Sequence, residues 1–338
     1  MKNVKKVGAS AITDLAEKGD IQTLIKIVED DANKSDTKLA ILALGELKCH
    51  EAVEPIIYSL LSQFISVQSA AVQSLGSIGD VRAVKPLVKL MQNGEKPGSL
   101  HGEVLEALGK IDDPMAAEMI IDAFCNGSTE IAERAATVLR KMGAKATKPL
   151  ISALKDVNPE VKRNIVKIMR ETGDKTASQT LMAILKNPEE LPAIREEVAK
   201  ALARMKEGVD LEFILQFVKT LIPPEGENYS LRCCLITLLG EIGNFEATET
   251  LTRLLLSKDN DSRIRYVAAH ALGRMGDNSA IDSLVSVLED PRDIDIKPAV
   301  AAALLALDET KTAQPLVTYL KSRPDFMAHY KLLSADNL

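Results

Sequence analysis

The chain has 338 residues, and its 48 Asp and Glu outnumber its 42 Lys and Arg, which gives a formal net charge of −6 at pH 7. This balance, with both signs mixed along the chain, excludes the broad basic field on which backbone-driven nucleic-acid binding depends. Only 3% of the residues are aromatic and Trp is absent, so a helical core of small and aliphatic side chains is favoured over strands.

The opening segment lacks the features of a secretory signal, because Asp14 and Glu17 interrupt any apolar run. No uninterrupted apolar stretch approaches the ~20 residues that span a bilayer. The four cysteines, at positions 49, 125, 233 and 234, form no CxxC pair, so we expect free thiols in a reducing compartment. We therefore predict a cytoplasmic protein with no membrane partner.

A Leu-Gly-x-aliphatic motif recurs along the chain. We call the place of its glycine the glycine position; it holds Gly45, Gly76, Gly109, Gly240 and Gly273 in the clear copies and Arg140, Arg170, Ala203 and Leu305 in the degenerate ones. Spacings of 30 to 37 residues are typical of a solenoid. A truncated unit around Gly19 opens the chain. The pattern predicts an all-α fold, an α-solenoid or superhelix of about nine helical pairs plus a partial N-terminal unit.

Each repeat carries signals for where its helices stop and start. In Val67 to Ile78 one apolar stripe runs along the helix, and Gly79 follows where a left-handed residue ends a helix. Asp80 comes next and is expected to cap the following helix. That following helix, the first of the next pair, carries a proline in several repeats and is expected to be kinked there. These prolines are Pro55, Pro86, Pro149 and Pro315.

The segment Asp261 to Asp277, DSRIRYVAAHALGRMGD, carries the clearest copy of the whole repeat. It resembles the consensus of short HEAT repeats of the phycobilisome-lyase-like kind. The resemblance covers about residues 12 to 322 and implies a single domain, 1–338, in which the second, inner helix of each pair lines a concave face. After Pro324 the segment 323–338 is expected to cap the end of the array. Such a resemblance specifies the fold and says little about function.

Side chains at −7, −6, −3 and +1 from the glycine position are expected to point away from the packed stripe of each inner helix. In the middle repeats this row is charged, for example at Glu196, Glu197, Lys200 and Arg204. It turns apolar in the last three repeats, where an apolar surface with a charged rim indicates a partner site. We predict that a partner protein binds at Cys233, Cys234, Thr237, Tyr266, Val267, His270 and Arg274. Alternatively, the C-terminal segment folds back and covers these residues.

Two further groups of residues are expected to have structural roles. Cys233, Cys234 and His270 include soft-metal ligands, but neighbouring cysteines on a helix diverge by about 100° and no fourth ligand is evident, so we predict no metal and no cofactor. A basic column lies at −8 and is expected to form a structural ladder with acidic residues of neighbouring turns. It consists of Lys162, Arg195, Arg232, Arg265 and Lys297.

Three classes of function compete. HEAT-fold deoxyhypusine hydroxylases use paired His-Glu motifs at inner-helix starts, whereas this chain has His50-Glu51 before an outer helix and only His101 and Glu103 near an inner one. HEAT-like DNA glycosylases need a basic face, which is missing. We therefore predict a non-enzymatic scaffold or adaptor that binds a protein in its groove and has no catalytic residues. The alternative is a lyase or chaperone-like factor for a chromophore- or cofactor-bearing subunit.

Overall fold

A computed structural model describes residues 7–30, 33–92, 100–111, 113–155, 157–220, 224–307 and 309–321. Every regular element in these ranges is helical. The α-helices in chain order are α1 (Ala9–Lys18), α2 (Ile21–Asp30), α3 (Lys34–Glu46), α4 (Val53–Ser59), α5 (Ile65–Ile78), α6 (Val84–Gln92), α7 (His101–Lys110), α8 (Pro114–Asn126), α9 (Thr129–Met142), α10 (Thr147–Ala153), α11 (Pro159–Thr172), α12 (Ser178–Lys186), α13 (Pro192–Met205), α14 (Leu211–Lys219), α15 (Tyr229–Ile242), α16 (Thr248–Leu256), α17 (Ser262–Met275), α18 (Ile281–Glu289), α19 (Lys297–Leu305) and α20 (Glu309–Lys321).

The helices alternate as the repeat predicts. Odd-numbered helices from α3 to α19 each end near one of the nine glycine positions, and we call them the inner helices; the even-numbered helices from α2 to α18 are their outer partners. Helix α1 is the partial N-terminal unit. Over the described ranges the helices follow the order of nine pairs that the repeat predicts, and the all-α solenoid fold is confirmed.

The described helices form two compact units that meet in sequence at Val157 and Asn158. In the first unit α3, α5, α7 and α9 pack one against the next, and in the second α11, α13, α15, α17 and α19 do the same. Where both helices of a pair belong to the same unit, the outer helix packs on its inner helix, as α16 does on α17. The core is thus a row of inter-helix layers in each unit. The single domain 1–338 stays a prediction.

Glycine at the repeat motif lets neighbouring inner helices approach closely. A Cβ added to Gly240 on α15 would lie 2.6 Å from the Cα of Ala271 on α17, and one added to Gly273 would lie 2.6 Å from the Cα of Ala303. These distances are too short for carbon atoms that are not bonded, and the obstacle is backbone. The sequence motif therefore reports a packing requirement between successive inner helices.

The predicted stop and start signals are confirmed at the junctions between repeats. Gly79 and Gly276 end their helices in the left-handed conformation, with φ of 77° and 76°. The next residue then accepts a hydrogen bond from the backbone two residues later, as Asp80 does from Arg82 and Asp277 does from Ser279. At each of these junctions a glycine ends the inner helix, and the side chain of the next residue caps the start of the following outer segment.

The expectation of a proline kink in the outer helices is corrected. In several repeats a one-turn 3-10 helix precedes the outer α-helix, for instance His50–Ala52 before α4 and Val81–Ala83 before α6. Pro55 and Pro86 are the third residues of those α-helices. In the first turn a backbone N–H has no intrahelical acceptor, so proline removes nothing there. Pro315 does lie inside a helix, α20.

Two further expectations concern the C-terminal capping segment and the absence of membrane-spanning helices. The capping segment 323–338 lies outside the described residues. Where the chain is described, no helix is long and apolar enough to cross a membrane.

Candidate functional site

The basic column at −8 is built into the structure of the second unit. Arg265 on α17 donates from Nε to the carbonyl of Leu255 at 2.7 Å, and Arg232 on α15 donates in the same way to Val218 at 2.9 Å. Each arginine therefore satisfies a carbonyl at the end of the outer helix of its own pair. These side chains are buried, which makes them structural.

The terminal nitrogens of these basic side chains contact residues in the turn of the following repeat. The pairs are Lys162 with Glu190 at 2.8 Å, Arg195 with Asn228 at 3.4 Å, Arg232 with Asn260 at 3.0 Å, and Arg265 with Asp293 at 2.5 and 2.7 Å. The predicted ladder is confirmed at these positions, although two of the four partners are amides instead of carboxylates. Lys297 makes no such contact with the residues that the structure describes.

Cys233 does not lie on an accessible surface, contrary to the prediction. It is 7% exposed. One helical turn earlier, Tyr229 is buried and donates its hydroxyl to Asp261 at 2.6 Å, with the guanidinium of Arg263 5.9 Å from its ring centre. Burial raises the pKa of the Cys233 thiol. A partner has no access to this side chain, and Cys233 is removed from the predicted contact.

Tyr266 and His270 form an aromatic pair on the exposed surface of α17. Their ring centres are 5.3 Å apart, and both residues are exposed, Tyr266 to 40%. Neither side chain hydrogen-bonds to any other residue that the structure describes. Tyr229, one repeat earlier, has a structural acceptor, whereas Tyr266 does not. The ring and the hydroxyl of Tyr266 are therefore accessible to a partner.

The other predicted contact residues surround this pair to different degrees. Val267 is half-buried, Thr237 is exposed, and Cys234 is half-buried. Arg274 is exposed, and its Nε lies 2.8 Å from Oε1 of Glu241 on α15. Six of the seven predicted residues therefore carry exposed or half-buried side chains on α15 and α17.

A groove with a volume of about 890 Å³ extends this face across α11, α13 and α15. Its lining residues are Arg170, Glu171, Lys200, Ala203, Arg204, Lys206, Cys234, Thr237 and Glu241. Such a volume lies in the range of ligand pockets, roughly 300–1,000 Å³. The groove joins the charged row of the middle repeats to two of the predicted contact residues, Cys234 and Thr237.

Most charges in the groove have a partner. Arg170 lies 2.6 Å from the buried Glu197, and Lys206 lies 3.6 Å from Glu241. Lys200 and Arg204, one turn apart on α13, are exposed and make no ion pair or hydrogen bond with residues that the structure describes. Sequence reasoning placed both on the exposed row and did not distinguish them from their paired neighbours.

Comparison with known proteins decides the family. The model of the HEAT repeats matches residues 21–98, 147–221 and 218–305, more than half of the chain. The chain is a HEAT-repeat protein. The resemblance drawn from the segment Asp261 to Asp277 is confirmed.

A curated relative of this HEAT-repeat protein is Deoxyhypusine hydroxylase-B of Oryza sativa subsp. japonica, 22% identical over 228 residues, with 59% of this chain and 75% of that protein covered. That relative is an enzyme, and this finding overturns the prediction that the chain is not an enzyme. The prediction failed because uninterrupted repeat packing, on which it relied, is compatible with enzymes as well as scaffolds.

Solved structures with similar folds include importin beta and the complex of CpcE and CpcF of phycocyanin lyase from Nostoc sp. PCC7120. Importin beta is 15% identical with a TM-score of 0.45, and the match covers 93% of this HEAT-repeat protein and 50% of that chain. The phycocyanin lyase structure is 19% identical with a TM-score of 0.31, and the match covers 69% of this HEAT-repeat protein and 92% of that chain.

A metal site would need several ligating side chains in one place within the described part of the HEAT-repeat protein. No group of three or more His, Cys, Asp or Glu side chains there is placed to hold a metal ion. Burial raises the pKa of the Cys234 thiol to about 11, so this side chain is a neutral thiol at pH 7.

Proposed function

We propose that this HEAT-repeat protein binds a partner protein through the exposed face of α15 and α17. The contact is centred on Tyr266, Val267, His270 and Arg274, with Cys234 and Thr237 at its edge. The observation that carries the proposal is the exposed Tyr266–His270 pair, with ring centres 5.3 Å apart and with no hydrogen bond to the described residues.

An exposed aromatic pair of this kind is well suited to protein recognition. Tyr266 buries a large ring at the cost of fixing only two side-chain angles, while its hydroxyl and the imidazole of His270 remain able to form directed hydrogen bonds. Tyr and Arg are also the residue types that most often dominate the binding energy of protein interfaces. Arg274 lies one turn after His270 and can contribute in this way.

The charge of this face favours a protein partner over a nucleic acid. Tyr266, Val267 and Thr237 are uncharged, and the guanidinium of Arg274 is paired with Glu241 at 2.8 Å. A nucleic acid requires several cations in register with its phosphates. A mixed apolar and hydrogen-bonding surface instead resembles the centre of a protein interface with a polar rim.

Affinity capture from the native source, with quantitative mass spectrometry, tests the proposal. The bait would be the full chain as wild type, as Tyr266→Ala/His270→Ala, and as the control Tyr58→Ala. Tyr58 is a good control because it lies on the outer helix α4 and is 77% exposed. We expect at least one protein to be captured by the wild type and the control and to be depleted at least about fivefold with the double variant.

Capture of the same proteins in the same amounts by all three baits would contradict the proposal. Each bait would first be checked for an unchanged melting temperature, since substitutions at exposed positions generally change stability by less than about 0.5 kcal/mol. A protein that depends on Tyr266 and His270 would then be purified and its affinity measured directly.

A further inference from the structure

We propose that the groove lined by α11, α13 and α15 binds an acidic peptide segment of the partner, whose carboxylates are held by Lys200 and Arg204. This inference rests on the proposed function, because the segment belongs to the partner that contacts α15 and α17. It adds the chemistry of the ligand and places a second contact next to the first, joined to it through Cys234 and Thr237.

The charges of the groove identify which cations are available. Arg170 is neutralised by the buried Glu197 at 2.6 Å, and Lys206 faces Glu241 at 3.6 Å. Glu241 also accepts Arg274 at 2.8 Å, so it stands between two cations. These ion pairs hold neighbouring helices of the second unit together. Lys200 and Arg204 form no such pair with the described residues, so their charges remain available to a ligand.

Lys200 and Arg204 are separated by four residues on α13, so their side chains project from the same face of the helix, with Cβ atoms ~6 Å apart. Like charges at this spacing repel each other and destabilise the helix. The Nε of Arg204 lies near Gly173, the last residue of the α11 cap, but it donates no hydrogen bond there. A bound carboxylate between the two side chains removes the repulsion and satisfies the donors.

The floor of the groove complements a peptide side chain. Ala203 and the half-buried Cys234 lie between the charged residues, and the pKa of the Cys234 thiol is raised to about 11 by burial. At neutral pH the thiol is uncharged and behaves as a small apolar group. An aliphatic side chain between two acidic residues of the ligand has a surface to pack on.

The same lining argues against nucleic acid as the occupant. Glu171 and Glu241 lie on opposite sides of the groove and would repel a continuous phosphate backbone. None of the lining residues is aromatic, so bases have no ring to stack on. A peptide can place its carboxylates at Lys200 and Arg204 and neutral residues opposite the two glutamates.

Selection from a displayed library of random 12-residue peptides tests the inference with the full chain as the target. The strongest selected peptide would be synthesised with a fluorescent label and titrated by fluorescence anisotropy. We expect the selected peptides to be enriched in Asp and Glu, and their affinity to fall as the salt concentration rises.

Two double variants with equal changes in net charge provide the comparison. Lys200→Gln/Arg204→Gln removes the two unpaired cations, and Lys219→Gln/Arg253→Gln removes two exposed cations from the outer helices α14 and α16. We expect the first to weaken binding of the acidic peptide at least about tenfold and the second to change it less than about twofold. Equal effects of the two variants, or selected peptides without acidic residues, would overturn the inference.

Other occupants give different results. A labelled oligothymidine of 12 nucleotides that binds more tightly than the peptide would assign the groove to nucleic acid and overturn the inference. Self-association of the wild type in sedimentation experiments that is lost in Lys200→Gln/Arg204→Gln would assign it to a second copy of the chain. If the captured partner depends on Tyr266 but is indifferent to Lys200 and Arg204, the inference fails while the proposed function stands.

Discussion

Arg265 on α17 and Asp293 in the turn of the next repeat form a bidentate ion pair, with N–O distances of 2.5 and 2.7 Å. Both side chains are buried. Lys258 also contacts Asp293, at 2.6 Å. Because Arg265 also donates its Nε–H to the carbonyl of Leu255, one side chain connects its own outer helix to the following repeat. Like Lys162 and Glu190, this pair joins a cation of the basic column to a carboxylate, and here the contact is bidentate.

Removing one partner of this pair should be strongly destabilising. Arg265→Ala leaves the Asp293 carboxylate buried without its bidentate donor, and such changes cost about 3 to 5 kcal/mol. Chemical denaturation followed by circular dichroism would measure the loss. A replacement of both residues, Arg265→Met/Asp293→Leu, should cost less than Arg265→Ala, because it leaves no unpaired buried charge. An equal or larger cost would show that the ion pair is not the source of the effect.

The same pair predicts a pH dependence. The hydrogen bond from Arg265 is the main cause of the lowered pKa of Asp293. A lowered carboxyl pKa stabilises the fold at pH values above the unfolded pKa of ~3.9, and this contribution is lost as the pH falls through the folded-state pKa. Asp293→Asn should therefore destabilise the protein at pH 7 and make progressively less difference below about pH 4. Asn260→Ala removes the uncharged acceptor of Arg232 at the matching position and should cost the same at both pH values.

Gly240→Val should destabilise the second unit by about 1 to 3 kcal/mol, since the new side chain meets the backbone of Ala271. Gly273→Val should do the same against Ala303. Thr237→Val, one turn earlier on α15 and exposed, is the control and should melt close to the wild type. Unchanged melting of either glycine variant would mean that the neighbouring inner helix can move away at no cost.

The thiol of Cys234 should react slowly with iodoacetamide at pH 7.5. With its pKa raised to about 11, the thiolate fraction is ~300-fold lower than for an unperturbed thiol, and the greater nucleophilicity of the thiolate offsets only part of this, so the rate should fall ~20-fold. Peptide mapping by mass spectrometry separates Cys234 from the other three cysteines. Alkylation of Cys234 at the rate of free cysteine would contradict the burial of its side chain.

Single substitutions should locate the partner contact. Tyr266→Ala and Arg274→Ala should each weaken the complex by about 1 to 3 kcal/mol, because each removes a residue from the centre of the proposed interface. Lys167→Ala, on α11, should mainly change the association rate and its dependence on salt. Calorimetric titration with the purified partner checks all three. Loss of binding in Lys167→Ala alone would move the contact to the charged repeats.

The repeat fold could be predicted because its signals are local. A glycine that permits close packing, a left-handed glycine and an aspartate cap recur at fixed offsets, so Gly273, Gly276 and Asp277 define one junction within five residues. The proline kink was wrong because sequence periodicity does not separate a 3-10 turn from the first turn of an α-helix. Pro55 marks the start of α4, and the pattern places it only to within a few residues.

The candidate site was harder to predict because it depends on neighbours distant in sequence. Position −7 is exposed at Tyr266 but buried at Cys233, one turn after Tyr229, whose hydroxyl bonds to Asp261 of the next repeat. Whether a cation is free also depends on such contacts: Arg170 is neutralised by Glu197 from the next repeat, while Lys200 is not neutralised. Helical periodicity gives the face on which a side chain lies but not its partner.

Photo-crosslinking can show directly whether a partner protein lies on the exposed face of α17. A benzophenone amino acid would be incorporated in place of Tyr266 and, as the control, in place of Tyr58 on α4, and the complex would be irradiated. We expect a covalent adduct with the partner from position 266 and none from position 58. An adduct from position 58, with none from position 266, would contradict this expectation.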